Sequence, residues 1–371
     1  MPHKIGLVGK PSVGKSTFFN AATMNTVDEG NYPFTTIEPS VGEAYVRVDC
    51  AAPDFDESCD PRTGFCHDGT RHVPVKIVDV AGLIPGAHEG KGLGNKFLTD
   101  LNETDVLIHI VDFSGETDIE GEPTEGHDPR EDIDFLENEL DMWYLEILEK
   151  GLRRYENKKG QHEPKLEEEL AEQMSAFKTN KNEIKQIILS LGLELEPENW
   201  DEEDQEELAR TIRKETKPMV IAANKMDTEK AQENYEEIIN DSEYEDLTII
   251  PCSAHAEKAL KNAAKEDAVD YYPEYNGTGV QEAMETALFD ELGVMAVFPG
   301  GADGLGDEHG NILPDVFLVP EGATAEDFAF TIHSDLGEGF LHAIDCRENR
   351  QIGSNHKLEH LDVIEVVSAN Q

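Results

Sequence analysis

Basic residues are scarce in this chain of 371 residues: 31 lysines and arginines stand against 79 aspartates and glutamates. The formal net charge of -48 is spread along every segment, and such a field repels nucleic acid in dilute buffer. Diffuse acidity is also typical of folded proteins in molar salt, where a Debye length of about 3 Å screens self-repulsion. We therefore expect a halophilic, archaeal source. In that setting the charge does not exclude RNA or ribosomes as partners.

Cysteines and long apolar runs are also rare. The 5 cysteines are scattered, which is not the pattern of a disulfide framework and fits a reducing compartment. No apolar stretch approaches membrane-spanning length, and the chain reaches its first strand without the segments of an export signal. We expect a cytoplasmic protein that enters no membrane, with 38% hydrophobic residues to build a full core.

A phosphate-binding motif stands near the N-terminus. Residues 9–16 read GKPSVGKS and fit GxxxxGKS, between an apolar strand at Ile5–Val8 and a helix-favouring segment from Ser16 to Met24. Its glycines let backbone N–H groups surround an anion at the start of the helix. Lys15 supplies a mobile charge for the β- and γ-phosphates, and the Ser16 hydroxyl is a ligand for Mg²⁺. The predicted nucleotide contacts here are Gly9, Lys10, Pro11, Ser12, Val13, Gly14, Lys15, Ser16 and Thr17.

Two further segments are predicted to contact the γ-phosphate and its metal ion. The sequence DVAG at residues 79–82 fits DxxG, in which Asp79 holds Mg²⁺ through water and the Gly82 N–H meets the γ-phosphate. In the loop YPFTTIEP, a threonine hydroxyl completes the Mg²⁺ shell only when γ-phosphate is present; we choose Thr36, with Thr35 as second choice. The predicted metal ligands are Ser16, Thr36 and Asp79, and the predicted catalytic residues are Lys15, Thr36 and Gly82.

A motif for base selection follows another apolar strand. Residues 224–227 read NKMD and fit NKxD, and the Asp227 carboxylate can accept hydrogen bonds from guanine N1–H and its exocyclic amine. Adenine lacks donors at those places, so GTP is favoured over ATP. Lys225 can cover the base, and the Ala254 N–H can meet guanine O6. The predicted base-contacting residues are Asn224, Lys225, Met226, Asp227, Ser253 and Ala254.

Alternating strand and helix patterns predict an α/β fold with a doubly wound sheet. Strand-like runs lie at Ile5–Val8, Ala44–Val48, Val73–Val78, Val106–Val111, Pro218–Ala223 and Leu247–Pro251. Long, charged, helix-favouring segments at Asp132–Tyr155 and Glu163–Leu191 favour an amphipathic helical pair packed on the sheet over a partner-binding coiled coil. We expect a G domain in two parts (1–113 and 216–294), a helical insertion (114–215) and a small ubiquitin-like α+β unit (295–371).

With these residues identified, the chain resembles the Obg-like GTPases, specifically the archaeal YchF-like group with a C-terminal TGS domain. The sequence DVAGLIPGAHEGKGLGNKF at 79–97 is similar to the Gly-rich switch II of Obg proteins, and YPFTTIEP to their switch I. LPDVFLVPEGATAEDFA, within 295–367, resembles TGS. The resemblance implies a GTP-hydrolysing switch associated with ribosomes and RNA, with TGS as a binding module. Nothing indicates DNA.

Three positions qualify this resemblance. YchF proteins in the strict sense carry an altered base-reading motif and favour ATP, whereas NKMD is intact here. Leu83 stands where Ras-like enzymes have a water-orienting glutamine, so we expect slow intrinsic hydrolysis. Ser12 replaces an asparagine that holds K⁺ in some relatives, which leaves K⁺ activation open. The alternative function is a nucleotide-gated binding protein that senses GTP or GDP without significant turnover.

Smaller signals stay open. The pattern formed by Cys59, Cys66, His67 and His72 offers four soft or borderline ligands, but its spacing is not that of a standard zinc site. A structural loop is the favoured interpretation, with Cys50 incidental. His88 and Glu89 are candidates for catalytic helpers, although an exposed switch loop is favoured.

Overall fold

The computed structural model describes residues 2–23, 40–80, 82–83, 85–86, 100–159, 164–266, 276–301, 305–306 and 310–370. The strands are β1 (Lys4–Val8), β2 (Ser40–Asp49), β3 (Phe65–His67), β4 (Thr70–Asp79), β5 (Val106–Asp112), β6 (Met219–Asn224), β7 (Ile249–Pro251), β8 (Val294–Gly300), β9 (Phe317–Pro320), β10 (Phe340–Asp345), β11 (Arg350–Ile352) and β12 (Val363–Ser368). The helices are α1 (Lys15–Ala22), α2 (Pro129–Lys159), α3 (Leu166–Gln173), α4 (Lys181–Ser190), α5 (Glu202–Thr216), α6 (Glu229–Ile239), α7 (Ala254–Glu266), α8 (Val280–Thr286), α9 (Ala325–Ile332) and α10 (Ser334–Glu338).

The larger sheet has 7 strands in the order β2-β4-β1-β5-β6-β7, with β3 also paired to β4. Strand β1 runs parallel to β4 and β5, and β5 runs parallel to β6, whereas β2 and β3 pair antiparallel to β4. Every residue of β5 is buried, as expected for a central strand covered on both faces. The predicted α/β fold class is confirmed. The carboxyl ends of β1, β4, β5 and β6 meet at one edge of this sheet, which is where the sequence motifs stand.

The helical segment that follows β5 differs from the expected pair. Helix α2 covers 31 residues, but the predicted run Glu163–Leu191 is broken into α3 and α4. The break arises because Asn180 accepts hydrogen bonds from the N–H groups of Asn182 and Glu183 and thereby starts a new helix. Helix α5, begun by a similar capping box at Asp201, was not predicted. All four helices contribute to one apolar cluster with Leu107 of β5.

The second sheet has 5 strands in the order β11-β10-β12-β8-β9. Helix α9 is capped by Thr324 and buries Phe328 and Ala329 in an apolar cluster with strands of this sheet. Strand β8, which pairs parallel with β12, was not among the predicted strands. Phe298 of β8 shares an apolar cluster with Ile5 of the larger sheet, so the two sheets are packed together.

None of the helices in the described ranges combines the length and apolar character needed to cross a membrane.

Candidate nucleotide-binding site

The loop between β1 and α1 has the backbone shape of an anion-binding loop. It enters left-handed conformations at Gly9 (φ 143), Ser12 (φ 65) and Gly14 (φ 101). A Cβ on Gly9 would lie 2.4 Å from the Ile110 carbonyl oxygen, and one on Gly14 would lie 2.5 Å from Asn224 Nδ2. Both positions therefore require glycine. Turns of this kind direct successive N–H groups into one concave surface, which suits a chain of phosphates.

Lys15 and Ser16 begin α1 at the mouth of this loop. The Lys15 Nζ donates hydrogen bonds to the carbonyl oxygens of Gly9 (3.1 Å) and Lys10 (2.7 Å). Burial lowers the pKa of Lys15 to about 8, although nearby Asp79 acts in the opposite direction. The Ser16 Oγ donates to Asp79 Oδ2 at 2.7 Å. A hydroxyl and a fully buried carboxylate thus stand side by side, and these hard oxygen donors fit Mg²⁺.

The DxxG segment contacts the phosphate-binding loop. A Cβ on Gly82 would come within 3.0 Å of the Pro11 backbone nitrogen, so the two segments are in close contact. The Leu83 N–H donates to the Gly9 carbonyl oxygen at 3.1 Å. Thr35, Thr36, His88 and Glu89 lie outside the described residues, so their predicted roles remain predictions.

Leu83 and Gly86 connect this segment to the helical region. The Leu83 side chain is 2% exposed and packs in the apolar cluster that includes Leu136 and Leu140 of α2. The Gly86 N–H donates to Glu139 Oε1, also on α2, at 2.5 Å. The residue after DxxG is thus part of the apolar core, and the segment itself rests on α2.

The residues predicted to contact the base are connected to one another and to the phosphate loop by hydrogen bonds. Asn224 donates from Nδ2 to the Val13 carbonyl oxygen (2.8 Å) and accepts at Oδ1 from the Ala254 N–H (3.1 Å). Asp227 Oδ1 accepts a hydrogen bond from Ser253 Oγ at 2.7 Å. One asparagine therefore joins the phosphate loop to the NKMD segment and to the loop at Ala254.

Asp112 was missed by the sequence analysis. This carboxylate ends β5, is fully buried, and accepts hydrogen bonds from Lys225 Nζ (2.8 Å), Ser114 Oγ (2.5 Å) and Thr117 Oγ1 (2.7 Å). Burial alone would raise the pKa of Asp112, but these donors outweigh it and lower the pKa. The sequence offered one signal that Asp112 belongs to the site: it stands at the carboxyl end of a central parallel strand, where α/β sheets bind their ligands.

A buried ion pair links the phosphate loop to the start of α2. Lys10 Nζ lies 2.8 Å from Asp132 Oδ2 and donates to the Thr117 carbonyl oxygen at 2.7 Å. The ring of His127 lies 2.8 Å from the other oxygen of Asp132. Burial lowers the pKa of Lys10 and raises that of Asp132, while their mutual attraction opposes both changes. The Lys10 side chain is thus engaged with α2, and its contribution to phosphate binding would come from its backbone.

Comparison with protein families assigns three parts of the chain. A profile described as 50S ribosome-binding GTPase matches residues 4–149. The G4 motif-containing domain of YGR210-like Obg-like GTPases matches residues 222–276, and the TGS domain matches residues 309–368. These segments carry the phosphate loop, NKMD and the strands β9 to β12 of the second sheet.

Individual relatives extend over nearly the whole chain. A GTP-binding protein of Methanocaldococcus jannaschii is 43% identical over 98% of this chain and 99% of its own. The ribosome-binding ATPase YchF of Haemophilus ducreyi is 29% identical over 92% of this chain and 88% of its own. The crystal structure of a GTP-binding protein from Pyrococcus horikoshii has a TM-score of 0.82 and 37% identity, covering 99% of this chain and 100% of that one. The chain belongs to the Obg-like GTPase family, in its YchF-like group with a C-terminal TGS domain.

Proposed function

We propose that this protein binds GTP and hydrolyses it slowly to GDP and phosphate, acting as a molecular switch. The observation that carries the proposal is the Asn224 side chain, which holds the phosphate loop and the Ala254 loop together through hydrogen bonds of 2.8 and 3.1 Å. Asp227 stands beside this junction, bonded to Ser253. A carboxylate here matches the two donors of guanine, and adenine would leave it unpaired.

The chemistry would depend on charge stabilisation more than on a side-chain base. Lys15, the loop N–H groups and the Gly82 N–H would contact the β- and γ-phosphates. Bound Mg²⁺, held by Ser16, Asp79 and Thr36, would neutralise the charge of those phosphates. Leu83 is buried against α2 and cannot orient water. We therefore expect slow turnover in the absence of an activating partner.

Support for a switch comes from the contacts of the DxxG segment. This segment would meet the γ-phosphate at Gly82, and it contacts α2 through Leu83 and Gly86. If the segment moves on hydrolysis, α2 and the helical region would therefore move with it. We propose that this region and the TGS domain report the nucleotide state to the ribosome or its RNA. Ribosome binding appears in the names of the Haemophilus relative and of the profile that matches 4–149. Such a role places the protein in the cytoplasm.

A second candidate is a nucleotide-gated binding protein that distinguishes GTP from GDP without significant turnover. The burial of Leu83 favours it, because the side chain that directly follows DxxG is apolar and packed in the core, so it cannot position water. Potassium is a further variable. The Ser12 Oγ is buried and has no hydrogen-bond partner among the described residues, so it is the P-loop oxygen that we propose for K⁺.

Single-turnover hydrolysis of γ-labelled GTP in molar KCl, with and without ribosomes, separates the two candidates. We expect slow release of phosphate that ribosomes accelerate; GTP that stays bound and uncleaved under both conditions would leave only the binding protein. Equal rates in KCl and NaCl at matched ionic strength would reject K⁺ activation. Capture from a native-salt lysate with GDP or a non-hydrolysable GTP analogue then identifies the partner and its nucleotide dependence.

Base selection is tested at Asp227. Asp227→Asn should weaken GTP binding by about 100-fold or more, because its amide presents a donor to the guanine amine. The same variant should gain affinity for XTP, whose base carries an oxygen at that position. Competition of ATP, GTP and XTP against a labelled nucleotide measures this. Equal affinity of the native protein for ATP and GTP would overturn the proposed specificity.

A further inference from the structure

Three thiols converge at the edge of the larger sheet, away from the nucleotide site. Among the described residues, the sulfur atoms of Cys50, Cys59 and Cys66 all lie within 4.8 Å of one another, and those of Cys50 and Cys59 are 3.4 Å apart. All three are free cysteines. We propose that Cys50, Cys59 and Cys66 together bind one Zn²⁺ ion.

The distances suit an ion. A tetrahedral zinc with Zn–S bonds of about 2.3 Å places its sulfur ligands about 3.8 Å apart, so small shifts of the side chains would complete the site. Thiolates are soft ligands that select Zn²⁺ over the hard Mg²⁺ of the nucleotide site. Three protein ligands leave the fourth position of the tetrahedron to a water molecule.

The ligand set differs from the sequence pattern that first indicated metal. His72 is fully buried with its ring stacked on Phe65, at 4.1 Å between centroids, and His67 lies 3.4 Å from Asp68. Neither histidine belongs to the cluster of ligand atoms. Cys50 takes part because β2 and β3 both pair with the first residues of β4. Arg71 of β4 has Val48 as its partner in β2 and Cys66 as its partner in β3, which brings the end of β2 close to β3.

The segment between Cys50 and Cys66 carries part of the contact with the C-terminal unit. Its regular structure before β3 is one short helical turn, Ala52–Phe55. The N–H groups of Asp60 and Arg62 donate to the carbonyl oxygens of Ile312 (2.8 Å) and Pro314 (2.9 Å).

Ion pairs strengthen the same contact. Arg62 pairs with Asp315, and Asp54 accepts from Arg347 at 2.9 Å. Cys50 and Cys66 are the two ends of this segment, and Cys59 lies near its middle. A zinc ion bound by all three would therefore fix the segment that residues 312–315 contact. The zinc would thus stabilise the connection between the two sheets, because a segment that is cross-linked by the ion loses less conformational entropy when it becomes ordered.

The first test is the metal content of the full-length protein. We expect roughly one zinc per chain after purification under reducing conditions, with loss of that zinc in Cys59→Ser and in Cys66→Ser. Cys346→Ser is the matched control, because Cys346 is also partly buried but lies outside the cluster. Protein without zinc, a Cys50–Cys59 disulfide in its place, or loss of zinc in Cys346→Ser would each overturn the proposal.

Cobalt provides a second test that does not depend on the folding of variants. The native chain, stripped of metal with a chelator and titrated with Co²⁺, should show thiolate-to-cobalt charge-transfer absorption and the visible bands of tetrahedral cobalt. The absence of both would contradict the three-thiolate site. Hydrogen exchange then tests the role: chelation should accelerate exchange in the peptide with the Asp60 and Arg62 amides, but not in β5. Unchanged exchange at 59–63 in protein shown to lose its zinc would refute the stabilising role.

Discussion

At the residue scale, the position of Lys225 in NKMD depends on an ion pair with Asp112, the last residue of β5. In Asp112→Asn, the Lys225 ammonium loses a buried counter-ion 2.8 Å away, and the Ser114 and Thr117 hydroxyls lose a charged acceptor. Removing one partner of a buried pair costs about 3–5 kcal/mol. We expect the free energy of unfolding to fall by about that amount and the Kd for GTP to rise about tenfold. Denaturant unfolding and nucleotide titration in molar KCl measure both.

Glu116→Gln is the matched control for this prediction. Glu116 lies 3.7 Å from the same ammonium, but its side chain is exposed, so its loss should change stability by less than about 1 kcal/mol. Equal effects of the two substitutions would show that burial of Asp112 does not matter, and the proposed positioning of Lys225 would be wrong.

A second residue-scale prediction concerns His109, which is buried in β5. Burial lowers the pKa of His109 to about 3, with further lowering from Lys15 and Lys10. Between about pH 6.5 and 3 the unfolded chain therefore binds a proton here that the folded chain does not, so this histidine makes folding less favourable as pH falls. His109→Gln should reduce the pH dependence of the unfolding free energy by up to about 1.4 kcal/mol per pH unit in that window. Unfolding curves at a series of pH values measure it.

The exposed His356 supplies the control. His356→Gln should leave the pH dependence close to that of the native chain, because folding does not remove this exposed ring from water. If the His109→Gln curve runs parallel to the native one through this window, the buried ring is not responsible for the acid sensitivity.

The individual contacts divide clearly into those that the sequence reveals and those that it does not. Asp227 and Ser253 meet because they follow the parallel strands β6 and β7, and Asn224 is the last residue of β6; the sequence motifs predict this arrangement. The partners of Lys10 and Lys225 carry no motif. Asp112 is 113 positions from Lys225 along the chain, and only the pairing of β5 with β6 brings the two together.

At the element scale, α2 and the DxxG segment share an apolar core. Leu83→Gln would restore the side-chain type of Ras-like enzymes but would place an amide among Leu136, Leu140 and other apolar groups. We expect a loss of about 2–4 kcal/mol in unfolding free energy and no rise in single-turnover GTP hydrolysis. Leu83→Met, which conserves volume, should cost less than about 1.5 kcal/mol. A faster, fully stable Leu83→Gln protein would show that the side chain turns towards the nucleotide.

The sequence analysis missed α5 and β8 for different reasons. Helix α5 is highly charged, and its buried face is limited to a few positions such as Leu208 and Ile212. Strand β8 reads VMAVFPG, a continuous apolar run without the alternation that marks a half-buried strand, so its pattern alone does not separate a strand from a buried helix. Helix α2, with its long repeat of buried positions such as Leu136, Leu140 and Trp143, was recognisable because 31 residues average out local exceptions. The place of Cys50 in the thiol cluster was also hidden from the sequence, because only the pairing of β4 with both β2 and β3 brings Cys50 close to Cys66.

At the scale of the whole molecule, the two sheets are not independent. Ile5 and Val75 of the larger sheet lie in one apolar cluster with Phe298 and Val363 of the smaller one. The chain as a whole carries 79 acidic residues against 31 basic ones. Repulsion among these charges opposes any compact state of the chain, and it acts on both sheets together.

This repulsion makes stability depend on salt. We expect the urea midpoint of unfolding to fall steeply as KCl is lowered from molar to dilute concentration, because the Debye length grows from about 3 Å at 1 M to about 30 Å at 0.01 M. NaCl at matched ionic strength should restore stability nearly as well as KCl, whereas sucrose should restore it only in part, because sucrose is excluded from the surface without screening charge. Equal stability in dilute and molar KCl would refute the halophilic interpretation. A requirement for K⁺ that Na⁺ cannot meet would instead point to specific ion binding, because screening of a net charge of -48 does not distinguish two monovalent cations.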